Sequence, residues 1–391
     1  MNLQSNSTLK VALVHDWLTG MRGGEKCLEA FCNMFPDAHL YTLICQKNSL
    51  SPSIKRMRIR TSRLQFFPFV EKYYRYLLPI MPAVIEQFEL KGYDLILSSN
   101  HCVAKGIKIE KNTCHICYCH TPMRYIWDQS SQYFNKTNAG LVTRFSFPLI
   151  KKYLQRWDIR TSESVDFFIA NSQHISNRIK RIYNRESEVI YPPVNTNFFK
   201  LSDSEDDYYL VVSAFAPYKR IDLAIKAFNQ LRYPLKIIGN GQCEKQLRKM
   251  AGPNIEFLGY IEGNELKHYY SQCKAFIFPG EEDFGITPLE AQASGRPVIA
   301  FGKGGALETI IPFAPLEKAA DKRGRKGDNT PTGVFFYQQT AESLVEAVQR
   351  FEKIADKFES KKIREHTLKF DREVFKKKIK EFINNKMDFR L

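Results

Sequence analysis

The stretch of the chain richest in potential chemistry is 275–290, AFIFPGEEDFGITPLE. An apolar, strand-like run leads into three acids, then Phe284-Gly285, then a helix opening near Thr287-Pro288, where proline suits the first turn. The backbone N–H groups of Phe284, Gly285, Ile286 and Thr287 would then project from the carboxyl edge of a sheet. With the helix dipole they form an anion site suited to a diphosphate, and Gly285 allows close approach of the phosphates. Glu290, about one turn into the helix, stands where it could accept hydrogen bonds from vicinal hydroxyls, as a ribose offers. Glu282, before the turn, stands where it could face a sugar. An ordinary strand–helix corner with acids near a helix N-terminus explains the same residues, and the pattern alone leaves both readings open.

Three further groups invite attention. Asp16 follows the apolar run LKVALVH (9–15) at its carboxyl edge, where α/β clefts form. It either binds ligand hydroxyls in the cleft or caps the loop. His120 ends CHICYCH (114–120), just before Thr121-Pro122, and a packed or hydrogen-bonded ring accounts for it on sequence alone. Cys114, Cys117 and Cys119 with His115 and His120 raise a metal reading. Strand alternation turns Cys117 and Cys119 away from Cys114 and His120, and no second Cys-x-x-Cys completes a four-ligand set. Buried structural thiols are the expectation.

The elements that must position these residues are α/β in character. The run at 9–15, a loop with Gly20, Gly23 and Gly24, and the helical pattern EKCLEAFCNMF open a doubly wound domain. Strands are predicted at 41–45, 94–99, 114–120 and 166–172. YPPVNTNFFKLSDSEDDYY (191–209) reads as an interdomain linker. The pattern then restarts, with strands at 208–215, 235–241, 255–260, 275–280 and 297–302 and helices between them. A polar basic insertion separates Pro315 from Gly333, and a basic amphipathic helix closes the chain. The expected domains are 1–195, 196–371 and a terminal helix, 372–391, packing back on the first.

The 391 residues carry 58 Lys+Arg against 42 Asp+Glu, a net charge of +16, with 43% apolar residues. That excludes wholesale disorder and points to an anionic partner: nucleic acid, lipid or a phosphorylated small molecule. No run approaches the roughly 20 apolar residues of a membrane span, and no secretory signal is evident at the start. The nine cysteines, odd in number and scattered, fit a reducing cytosol. Segment 55–82 interleaves basic residues with Phe, Tyr and Leu. It suits a surface that sinks aromatics into an anionic leaflet, or else a helix pair with its aromatics in the core. A nucleic-acid patch ranks below both, because no nucleic-acid module accompanies it.

The spacing of Glu282 and Glu290 around Phe284-Gly285 resembles the signature of the retaining family-4 glycosyltransferases, which have the GT-B fold. Other motifs agree in order along nearly the whole chain. Leu13-Val14-His15-Asp16 with Gly23-Gly24 resembles the family's amino-terminal glycine loop, and Tyr118-Cys119-His120-Thr121-Pro122 its strand-end histidine. Ala170-Asn171-Ser172 and Val189-Ile190-Tyr191-Pro192-Pro193-Val194 resemble its approach to the linker. Pro217-Tyr218-Lys219-Arg220 resembles its basic phosphate loop, and Gly239-Asn240-Gly241 with Phe257-Leu258-Gly259-Tyr260 its nucleotide-cleft turns. HDWLTGMRGGEK with CHTPMRYIWD looks most like a mannosyltransferase subgroup that uses GDP-mannose. One departure stands out. The family often carries an arginine five residues before the lysine, and here that position is Ala214, with Arg220 a candidate replacement.

The resemblance implies two Rossmann-like parallel-sheet domains facing a cleft, the first for the acceptor and the second for a nucleotide-diphospho-sugar. It implies catalytic roles for Glu282, His120, Lys219 and Arg220, with His120 touching the donor sugar. Donor contacts would come from Gly23, Gly24, Gly239, Gly241, Gly259, Tyr260, 284–287 and Glu290, and an acceptor contact from Asp16. Lys219, Arg220 and the amides would stabilise the leaving diphosphate, with no cofactor and no divalent metal. The expected reaction is retaining transfer of a hexose, mannose above others, to a lipid-linked or lipopolysaccharide-type glycan on the inner face of the cytoplasmic membrane. Rivals are the same transferase with a UDP-sugar, a sugar-nucleotide epimerase, a pyridoxal-dependent phosphorylase, and a non-catalytic protein binding membrane or nucleic acid.

Overall fold

A computed structural model describes residues 9–128, 141–313 and 330–387, the side chains of 141–146 excepted. Most of the basic insertion after Pro315 lies outside the described residues. Contacts divide the chain into two units, Met1–Pro193 with Phe375–Leu391, and Val194–Val374.

The first unit is built on a seven-stranded sheet in the order β3-β2-β1-β4-β5-β6-β7. Its strands are β1 Val11–His15, β2 His39–Thr42, β3 Arg58–Thr61, β4 Leu95–Asn100, β5 Cys114–Cys119, β6 Phe167–Ala170 and β7 Ser187–Val189. All pairings are parallel. Continuous apolar runs arise because both faces are covered. Val11 and Leu13 enter one core with Leu97 and Tyr118, while Ala12 and Val14 enter another with Ile96 and Ile85. The helix Arg372–Met387 places Phe375, Ile379, Phe382 and Ile383 in the first of these cores. That spacing is one helical face, and Lys377, Lys378 and Lys380 stay exposed on the other.

The second unit holds a six-stranded parallel sheet in the order β10-β9-β8-β11-β12-β13. Its strands are β8 Tyr209–Val212, β9 Leu235–Ile238, β10 Ile255–Gly259, β11 Ala275–Phe278, β12 Val298–Phe301 and β13 Gly333–Phe336. The sequence between Val194 and Tyr209 is not a free linker. Val194, Thr196, Phe199 and Tyr208 are buried. Arg364 donates to the carbonyls of Thr196 and Phe199, and the Arg296 guanidinium donates to Ser204 O at 2.7 Å and pairs with Glu205. Those arginines satisfy carbonyls that no sheet partner takes.

Candidate active site

In the second unit β8 and β11 are neighbours at the middle of the sheet, so the turns after them meet at its carboxyl edge. The turn Pro217–Lys219 follows β8, and Glu281–Gly285 follows β11. The Lys219 ammonium pairs with the Glu282 carboxylate, with side chains 17% and 16% exposed, and lies 5.3 Å from the centre of the Tyr218 ring. Gly280 permits this meeting: a Cβ there would stand 3.0 Å from Lys219 O. Arg220 is the left-handed residue that starts the helix Ile221–Leu231 (φ 52°). Its guanidinium already pairs with Asp222 at 3.0 and 3.1 Å and reaches Gln339 Oε1 at 3.3 Å. Gln339 in turn donates to Pro279 O at 3.1 Å. Arg220 is thus tied to its own loop, and a phosphate would have to compete with Asp222 for it.

The helix Ile286–Ala293 begins at Gly285, which adopts φ 90° and sits against Phe278, where a Cβ would come within 2.9 Å. No side chain caps it, so its first amides are presented by the backbone alone. The Phe284 ring is buried, 6.0 Å from that of Phe370, so Phe284 offers the turn only its backbone. Glu290 is buried and accepts a hydrogen bond from the Tyr270 hydroxyl at 2.9 Å. Burial, then the Glu290 charge, pushes the Tyr270 phenol well above its usual range, so it stays a donor. Gly239 and Gly241 are close-approach positions. A Cβ on either would run into the backbone of Ser213 or Phe215, so their immediate role is to seat the loop after β8. Gly259 and the exposed Tyr260 lie at the end of edge strand β10, away from the Lys219–Glu282 pair.

In the first unit the carboxyl ends of β1, β4 and β5 gather His15, Asp16, Ser99, His101 and His120 beside the helix Gly23–Met34. Asp16 is fully buried. Its carboxylate accepts from the amides of His101 (2.7 Å), Cys102 (3.1 Å), Val103 (2.5 Å) and Ala104 (2.7 Å), and meets His101 Nδ1 at 2.9 Å. Of the two readings of Asp16, the geometry is that of the loop cap, and no face of the carboxylate is left for an acceptor hydroxyl. Burial would raise this carboxyl, but the His101 charge and hydrogen bond outweigh it and hold it well below the carboxylate range. For His101, burial opposes protonation, while Asp16 more than offsets it and the net shift is upward. Glu25 reaches back to the Arg22 amide at 3.0 Å, taking one donor at the start of that helix. Burial raises its carboxyl. His120 is half-buried, its carbonyl held by Asn171 Nδ2 at 3.0 Å.

β5 separates its cysteines as alternation requires. Cys114 packs with Ile116 and Tyr118, and Cys117 and Cys119 face the opposite core. Among the described residues no group of three His, Cys, Asp or Glu side chains stands where it could hold a metal ion. Segment 55–82 divides between its two readings. Leu64, Val70, Tyr74, Leu78 and Met81 enter the core, whereas Phe66, Phe69 and Tyr76 are 84%, 75% and 81% exposed. A cavity of about 400 Å³ opens at the ends of β2 and β3, lined in part by Lys47, Asn48, Thr61, Gln65 and Glu71. Among the described residues no helix is long and apolar enough to cross a membrane.

Sequence reasoning passed over Tyr270, Gly280, Gln339, Ser99, His101 and the loop Gly302–Gly305. Gly305 N donates to Glu282 O at 2.9 Å, and Lys303 meets Glu281 at 3.0 Å. The glycine cluster in that loop was a signal. The others carry none, because a single tyrosine or serine acquires its role only from the partner that the fold brings to it.

Two family models match the chain: "Glycosyltransferase Family 4" over residues 21–198 and "Glycosyl transferases group 1" over 194–369. An uncharacterized glycosyltransferase of Methanocaldococcus jannaschii is 30% identical over 151 residues, 37% of this chain and 43% of that one. The alpha-1,3/1,6-mannosyltransferase ALG2 of Saccharomyces cerevisiae is 24% identical, covering 80% of this chain and 73% of its own. A GDP-mannose-dependent monoacylated alpha-(1-6)-phosphatidylinositol monomannoside mannosyltransferase of Corynebacterium glutamicum is 36% identical over 27% of this chain and 32% of its own. The matches thus span less than half of the archaeal and corynebacterial relatives. Among solved structures, sucrose-phosphate synthase of Thermosynechococcus elongatus superposes with a TM-score of 0.70 at 18% identity, covering 97% and 99% of the two chains. HepE of Anabaena, solved with UDP, gives 0.68 at 16% identity, covering 96% and 100%. The fold is GT-B, two parallel-sheet Rossmann-like domains. The chain belongs to the family-4 glycosyltransferases and is mannosyltransferase-like.

Proposed function

We propose that the protein is a retaining mannosyltransferase that moves mannose from GDP-mannose to a glycan carried by lipid or growing polysaccharide. The observation that carries this reading is the Lys219–Glu282 pair at the β8/β11 edge, beside a helix whose first amides have no side-chain cap. The mannosyl and GDP assignments draw on the names of the yeast and corynebacterial relatives. On donor binding the diphosphate takes Lys219 from Glu282 and receives the amides of 285–287, which neutralise the charge that builds as the glycosidic bond breaks. Glu282 is then released toward the sugar, and Glu290, steadied by Tyr270, accepts from the ribose hydroxyls. His120 contacts the donor sugar. The acceptor hydroxyl attacks from the leaving group's side, and the departing phosphate takes its proton. Lysine and backbone dipoles supply the positive charge, and no divalent metal is needed.

The Asp16 carboxylate is taken by its own loop, and we place the acceptor's polar end at the opening beside β2 and β3. We place the exposed aromatics of 66–76, interleaved with Lys72 and Arg75, in an anionic leaflet on the cytoplasmic side, with no role for nucleic acid. The test is transfer of labelled mannose from GDP-mannose into extracted lipid or polysaccharide in EDTA, with Glu282→Ala as control. Transfer lost with Glu282→Ala supports the reading. Transfer from UDP-sugars alone replaces the donor, and isomerised donor without an acceptor marks an epimerase.

A further inference from the structure

β1, β4 and β5 run parallel and adjacent, with His15 opposite Ser99 in register, and the loop after β5 returns so that His120 N donates to Asn100 O at 2.8 Å. This register sets three side chains in line. Ser99 Oγ lies 3.0 Å from His15 Nδ1 and 2.9 Å from His120 Nε2. The first turn of the helix Gly23–Met34 covers both rings. A Cβ on Gly24 would stand 3.5 Å from His15 Cε1 and 3.7 Å from His120 Nε2. Ser99 and His15 are fully buried.

A serine hydroxyl has one proton and two lone pairs, so at most one of two rings facing its oxygen can accept from it, and the proton goes to the ring whose facing nitrogen is bare. His15 decides which. Its Nε2 is buried without a hydrogen-bond partner, while its Nδ1 faces the hydroxyl. Burial, followed by the neighbouring His101, pushes its pKa down to about 3, so the ring is neutral with a single N–H. That proton belongs on Nδ1, where an acceptor waits, because a buried N–H with no acceptor costs about 1–3 kcal/mol. His15 Nδ1–H then donates to Ser99 Oγ, and Ser99 has its own proton left for His120 Nε2.

We propose that Ser99 is a positioning residue that holds His120 in its Nδ1-protonated tautomer, with His15 as the buried anchor that orients the serine. In a histidine the partner of one ring nitrogen fixes the proton on the other. His120 is thereby presented as a neutral ring with its single donor at Nδ1 and its plane locked by a buried hydroxyl. Its consequence for turnover rests on the reading of His120 as a donor-sugar contact. The tautomer itself does not depend on that reading.

The test is ¹⁵N correlation spectroscopy of the full-length protein labelled at its histidines, with the His120 signals assigned from a His120→Gln sample. Wild type should show a protonated Nδ1 and an unprotonated Nε2 at His120. Ser99→Ala, which removes one oxygen and keeps the fold by melting temperature, should shift His120 to the Nε2-protonated or a mixed pattern. Ser99→Thr should restore the wild-type pattern. Turnover should fall about ten- to a hundredfold in Ser99→Ala and recover in Ser99→Thr. A wild-type His120 protonated at Nε2, or a pattern identical in wild type and Ser99→Ala, overturns the proposal. A changed tautomer with unchanged turnover upholds the relay and removes His120 from the donor site.

Discussion

Asp16→Asn separates the cap from an acceptor contact most sharply. The carboxylate serves four backbone amides and the His101 ring in a fully buried place. An asparagine keeps one carbonyl oxygen and turns an NH₂ toward amides that are themselves donors. At least two of the four amides lose their acceptor, at about 1–3 kcal/mol each, and His101 loses its counter-charge. The expected loss is about 2–5 kcal/mol, a large share of the stability of a typical domain, about 5–15 kcal/mol. Urea unfolding followed by tryptophan fluorescence reads this loss locally, because all three tryptophans, Trp17, Trp127 and Trp157, lie in the first unit, and Trp17 packs edge-on against His101 at 4.6 Å. A midpoint unchanged from wild type, combined with a raised KM for acceptor, would refute the cap.

Tyr270→Phe should leave kcat near wild type and weaken GDP binding by about ten- to a hundredfold, since it removes one hydrogen bond to a charged group. Equal Kd values by calorimetry would contradict a Tyr270-steadied Glu290. Phe66→Ser with Phe69→Ser should weaken co-sedimentation with anionic vesicles by about thirtyfold or more, taking about 1 kcal/mol per exposed ring. Unchanged binding would remove the leaflet from the account. His15 and His115 are buried and neutral, with burial pushing them down to about 3 and about 4. The unfolded chain takes up these protons near pH 6.5, so stability present above that pH is lost as pH falls toward 4. At pH 5 the loss is about 2 kcal/mol per histidine. His101, shifted upward, acts in the opposite sense above pH 6.5, and a flat profile between pH 6.5 and 5 would contradict the burial of both rings.

The sheets were legible because buried parallel strands are continuous apolar runs, as in VALVH and AFIF. The edge strands were less so, β10, expected at 255–260, excepted. β3 alternates exposed and half-buried residues, and β7 is three residues long. The Glu282/Glu290 spacing singled out a strand–helix corner, and Lys219 meets Glu282 there. Asp16 was ambiguous because its amide partners sit 85 to 88 positions downstream and only the β1–β4 pairing brings them to it. The bond from Arg220 to Asp222 is local, and the two-residue spacing was visible in the chain. The acidic, proline-rich look of 191–209 read as an interdomain linker, and the boundary between the two units falls within it, but nothing in that segment announces Arg296 and Arg364, the cations that bind its backbone.

The most direct test of the central claim is calorimetric titration of the full-length protein, in EDTA, with GDP-mannose and UDP-glucose, repeated with Lys219→Ala. GDP-mannose should bind without metal, UDP-glucose should not compete, and Lys219→Ala should weaken binding at least tenfold, about 1.4 kcal/mol. No binding without a divalent cation, or a preference for the uridine donor, would contradict the claim.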